Sequence, residues 1–150
     1  MFFLLVALAL SACKKETAKL GAGDYLIFGH FHGECMGEEC IEIFHLTGDE
    51  LKEDSNDHYG GEGPYSFTSL TAEKFELVAG LAADIPSELI EQPDSTFGCP
   101  DCADQGGIYI ELKEEGTTHK WTIDKSKTGS PAYLHDFIDL ITEKINAINE

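Results

Sequence analysis

The chain contains no arginine. Its ten cationic side chains are all lysine, set against 28 acids, for a net charge of −18 at neutral pH. A surface of that sign repels phosphate backbones and anionic lipid headgroups, and without arginine it lacks the planar fork that grips phosphate at two points. Nucleic-acid binding is excluded. The acids are spread along the chain rather than gathered in one block, so they read as a solubilising surface. Also missing is any apolar run able to cross a bilayer: the longest, residues 2–10 (FFLLVALAL), is less than half of the about 20 residues a spanning helix needs. Catalytic signatures are absent as well. There is no glycine loop ahead of a helix to cradle phosphate, no G-x-S-x-G elbow and no H-E-x-x-H pair. Asp54, Asn56 and Asp57 have the spacing that opens a calcium loop, but the required glycine and distal glutamate are out of register.

What the short apolar run does suit is the hydrophobic region of an export signal. It leads at once into Leu10-Ser11-Ala12-Cys13, which resembles a bacterial lipobox: small residues let an extended backbone enter a peptidase, and the cysteine thiol takes the lipid. No lysine or arginine precedes the run, which departs from the usual signal pattern. The expected organisation is a signal peptide over residues 1–12, a tether over 13–23 acylated at Cys13 with a palmitate-type lipid, and one domain over 24–150. The tether sequence KKETAKLGAG is polar and small, as a flexible spacer should be. Lys14 stands where an aspartate would retain such a lipoprotein in the inner membrane, so the resemblance implies the outer membrane of a bacterial envelope.

After residue 12 the remaining chain is long enough for one domain that needs no cross-link to fold. Residues 24–32 alternate, with Leu26, Phe28, His30 and His32 on one face and Tyr25, Ile27 and Phe31 on the other, which predicts a central strand. Residues 41–46 predict a second strand, and Thr47-Gly48-Asp49 a turn into a short third. Residues 54–65 and 91–107 read as loops. Thr71 is placed to cap a helix running to Pro86, with Phe75, Val78, Leu81 and Ala82 at helical spacing. Residues 107–124 predict a hairpin. The last helix has Ser130 as its cap, Pro131 at its first position and one apolar stripe from Leu134 to Ile148. The order β-β-β-α-β-β-α predicts an α+β fold: an antiparallel sheet of about five strands covered on one face by two helices.

Cys35 and Cys40 form a C-x4-C pair, and Cys99 and Cys102 a C-x2-C pair, each in a loop beside a strand. In an exported chain these read first as disulfides, with local pairing suited to the tight spacings and the other pairings left open. Two alternatives remain. Cys35, Cys40, Cys99 and Cys102, joined by His30 and His32 about 6.6 Å apart along their strand, could hold zinc. Or Cys99-Pro100-Asp101-Cys102 could be a thiol–disulfide oxidoreductase motif, although a reactive pair normally opens a helix and here a strand follows.

The stretches FGHFHGECMGEECIEIFHL, FGCPDCADQGGIYIEL and PAYLHDFIDLITEKI resemble a group of small bacterial lipoproteins with paired-cysteine loops, over about residues 24–149. That resemblance implies the fold and the lipid anchor and carries no activity, ligand or catalytic residue. The leading expectation is therefore an envelope-anchored, non-enzymatic binding module with disulfide-pinned loops and no cofactor. It would touch the membrane through its lipid and recognise a protein or small-molecule partner.

Overall fold

The computed structural model describes residues 20–150. The expected signal peptide, the expected acylation at Cys13 and most of the expected tether lie outside the described residues. In chain order the elements are β1 (Tyr25–Phe31), β2 (Ile41–Leu46), β3 (Leu51–Asp54), β4 (Phe67–Ser69), α1 (Ala72–Val78), α2 (Ser87–Ile90), β5 (Ser95–Phe97), β6 (Gly107–Glu114), β7 (Thr117–Asp124) and α3 (His135–Asn149). The strands form one sheet in the order β4-β3-β2-β1-β6-β7-β5. Every pairing is antiparallel except β5 against β7. The architecture is α+β, with seven strands where about five were expected. The two additions are the edge strands β4 and β5, each three residues long and too short to show a two-residue alternation.

One face of the sheet carries Leu26, Phe28, Phe44, Ile110, Trp121 and Ile123 against α1 and α3. The apolar stripe of α3 is buried as its periodicity requires: Ile141 and Ile145 are fully enclosed and Phe137, Ile138 and Ile148 nearly so. Its start differs from expectation. Pro131 is extended (ψ 143°) and stands outside the helix, Ala132–Leu134 form a 3-10 turn, and the Ser130 hydroxyl is buried without a partner. No side chain caps α3; the His135 ring instead places its Nε2 3.2 Å from the Ser130 carbonyl. Thr71 does cap α1, accepting from the Lys74 amide at 3.5 Å. That helix stops at Val78, however, rather than at Pro86. Gly80 follows, which is costly inside a helix, and the chain continues as a 3-10 turn over Leu81–Asp84 that still buries Leu81.

The opposite face has a smaller core of Ile27, Ile43 and Tyr109, roofed by the loop between β3 and β4. Gly61 in that loop has φ +84° and lies so close that a Cβ there would meet Tyr109 Cβ at 2.6 Å. Beside it Glu111 is buried between two phenols: it accepts from Tyr25 at 2.7 Å and from Tyr109 at 2.8 Å, with Lys120 at 3.3 Å. Burial, reinforced by the bond to Glu111, pushes the Tyr25 hydroxyl up to about 12 and that of Tyr109 higher still. Both phenols thus stay protonated and donate, which satisfies the buried carboxylate.

Candidate functional site

Three loops meet at the end of the sheet where β1 finishes: residues 32–40, 55–66 and 98–106. The first returns along its own strand, with the His32 amide donating to the Cys40 carbonyl at 2.9 Å. Gly37 (φ +129°) turns it, and a 3-10 turn over Glu38–Cys40 delivers the chain into β2. Cys35 and Cys40 are bonded, their Cα atoms 5.6 Å apart. In the third loop Cys99 and Cys102 are bonded across 5.5 Å, inside a turn closed by the Cys102 amide and the Cys99 carbonyl. The pairing left open by the sequence is local in both loops.

Asp101 joins all three. One of its oxygens accepts from the Gly33 amide at 2.6 Å and from the Tyr59 hydroxyl at 2.9 Å, and the other from the Gly106 amide at 2.9 Å. A Cβ on Gly33 would stand 2.7 Å from the carboxylate, so a side chain here would push Asp101 from its place. Burial pushes the Asp101 carboxyl up, but the Tyr59 hydroxyl and the two amides outweigh it and hold the group below the usual carboxylate range. Asp124 supports the same loop from behind, accepting from the amides of Cys99 at 3.1 Å and Ser126 at 2.8 Å and from the Gln105 side chain at 3.2 Å.

The histidines are part of this frame. His30 is 7 % exposed, and its Nε2 lies 3.0 Å from the Glu39 carbonyl, so that nitrogen carries the proton and donates. Its Nδ1 is enclosed without a partner. Burial pulls its pKa down to about 4. His32 packs edge-on to it, ring centres 5.2 Å apart, and accepts from the Lys125 ammonium at 3.3 Å. Burial and that lysine lower its pKa too. Glu42, paired with His30 across β1 and β2, is hydrogen-bonded by the Asn149 side chain at the end of α3.

These contacts correct the zinc alternative. Cys35, Cys40, Cys99 and Cys102 spend their sulfurs on each other, His30 spends its protonated nitrogen on a carbonyl, and His32 faces a lysine. Among the described residues no group of three or more His, Cys, Asp or Glu side chains could hold a metal ion. We expect the mass of the intact protein to rise by about 4 Da on reduction (roughly 1 Da per hydrogen, two per bond), and a chelator to leave its melting temperature unchanged. A smaller mass rise, or melting that falls with chelator, would contradict the pairing. The setting of Cys99 also offers nothing to activate a thiol. No helix opens there, since the chain runs through a turn to β6, and the carboxylate held behind the Cys99 amide would disfavour a thiolate.

Between the first two loops lies a cavity of about 480 Å³ lined by His32, Gly33, Ile41, Asp57, Tyr59 and the Cys35–Cys40 bond. Met36, which follows Cys35 in the chain, is 96 % exposed, and Tyr59 59 %. The Tyr59 ring is braced edge-on against Phe31, centres 5.1 Å apart. Sequence reasoning identified the cysteines and histidines here but missed Asp101, Tyr59 and Met36. Asp101 lay in plain view as a spacer of the C-x2-C pair, while nothing local marks the other two. No protein-family model matches the chain, and no curated protein matches it either.

Proposed function

We propose that the chain is a lipid-anchored protein of a bacterial envelope, acylated at Cys13, whose domain is a non-enzymatic binding module presenting the three-loop end to a partner. The observation that carries this reading is the fixing of those loops by two disulfides and by Asp101. Loops ordered in advance lose little entropy on binding, which is the benefit of preorganisation. The remainder of the reading draws on the sequence: the Leu10–Cys13 pattern after an apolar run, Lys14 after the acylated residue for the outer membrane, and cysteines paired as an oxidising compartment favours.

Two measurements test it. Labelled fatty acid should enter the wild-type protein and not Cys13→Ala. A photo-crosslinking side chain at Glu34, in the first loop, should give a discrete adduct in the envelope, whereas one at Thr117, in the exposed turn at the other end of the sheet, should give none. Absence of label removes the anchor. Equal adducts at both positions, or none at either, remove the assignment of the binding surface.

A further inference from the structure

We infer that the cavity between the first two loops is a docking groove for a basic protein segment, one that inserts an apolar side chain flanked by lysine or arginine. This deepens the function proposed above and rests on it. Ile41 and the Cys35–Cys40 bond give the groove an apolar lining, and Met36, in the chain between the lining residues Cys35 and Gly37, leaves its thioether exposed. A methionine left almost wholly in water gains nothing for the fold; its soft, adaptable side chain is suited to closing over an incoming apolar group. Tyr59 supplies the amphipathic surface favoured at binding hot spots, and its ring is fixed by Phe31 and Asp101.

Charge selects the occupant. Residues 33–40 carry three acids, residues 55–65 two and residues 98–106 two, and these three loops contain no lysine. Lys125, beside the first loop, is half-buried and turned to His32. Loops with this excess of acid, one of which (Asp57) lines the groove, attract a cationic partner and repel an anionic one. A second copy of this chain, at −18, is repelled, as is an anionic lipid surface. A free polyamine would satisfy the acids and leave the apolar lining and Met36 unused. A protein segment with both features uses the whole site.

The purified protein is titrated with a short peptide of alternating lysine and leucine, with its glutamate–leucine counterpart, and with spermidine, following amide shifts and affinity. The lysine–leucine peptide should bind, shift the amides of residues 33–41 and 57–59, and weaken about tenfold between about 50 mM and about 500 mM salt. Glu34→Lys combined with Glu39→Lys should weaken it at least tenfold, and Met36→Ala about fivefold, with melting unchanged because all three side chains are exposed. The proposal is overturned by equal binding of spermidine, by equal binding of the glutamate–leucine peptide, by shifts confined to other parts of the sheet, by indifference to these substitutions, or by no binding at all. An adduct at Glu34 in cells together with a peptide that does not bind would remove the partner class and leave the loop-end reading in place; loss of both would remove both.

Discussion

Gly29→Ala should lower the stability of the domain by about 3 kcal/mol, the upper part of the range for forcing an atom into packed surroundings, and its melting temperature by about 10 °C. Gly29 sits mid-way along β1, the central strand, opposite Ile43 of β2 and Tyr109 of β6. A Cβ at this position would fall on the carbonyl oxygen of Glu42 and come 2.7 Å from the end of the Ile43 side chain. Neither neighbour can yield cheaply. The carbonyl belongs to a strand paired on both sides, and Ile43 is 1 % exposed in the small second core. Relief requires β2 to move, and β2 is the strand that begins at the Cys35–Cys40 loop, so the groove should deform with it. Thermal melting and the amide shifts of residues 33–41 measure both effects. A variant that melts within about 2 °C of wild type would show that the strands part without cost.

His30 should make the domain sensitive to acid. In the unfolded chain it titrates at 6.5, and in the fold burial holds it near 4. Between those values the unfolded state binds more protons, so stability rises with pH. The contribution is present in full above pH 6.5 and is lost as pH falls toward 4, amounting to about 3 kcal/mol at 1.36 kcal/mol per unit. The groups around it do not all act alike. His32, and His45 farther along the sheet, are also depressed by burial and lose stability in the same direction. Glu42, which faces His30 from β2, is raised by burial and works against them. Lys125, which faces His32, is lowered by burial, and the charge of Glu42 works against that. Urea unfolding at pH 7 and pH 4 should therefore show wild type losing about 3 kcal/mol more than His30→Gln, which keeps a donor for the Glu39 carbonyl. Equal losses in the two proteins would mean that the imidazole accepts its proton in place.

The parts of the fold legible in the sequence were those with a repeated signal. The alternation of Leu26, Phe28 and His30 against Tyr25 and Ile27 marks β1, and the stripe from Leu134 to Ile148 marks α3. The edge strands were hidden because Thr68, Ser69, Ser95 and Thr96 contribute no alternation and gain their pairing only from neighbours already in place. Ser130 misled for a different reason: its position before Pro131 fits a cap, but a 3-10 turn over Ala132–Leu134 stands between it and α3, which starts without a side-chain cap. Within the candidate site the C-x4-C and C-x2-C spacings suited short rings and were closed that way. The meeting of the loops was not legible at all. Asp101 reaches Gly33 across 68 positions and Tyr59 across 42, and no local pattern encodes contacts at that separation.

The direction of β1 sets two poles of the domain apart. Leu20 packs into the main core beside Gly48, just ahead of the first residue of the strand, while the disulfide loops open just past its last. Seven residues at about 3.3 Å each put roughly 20 Å of sheet between the two poles. Under the proposed anchoring at Cys13, the chain would enter the domain at the pole beside Leu20, and the groove lies at the opposite one. A partner could then reach the groove without meeting the tether, and lengthening the tether should extend the reach of the protein.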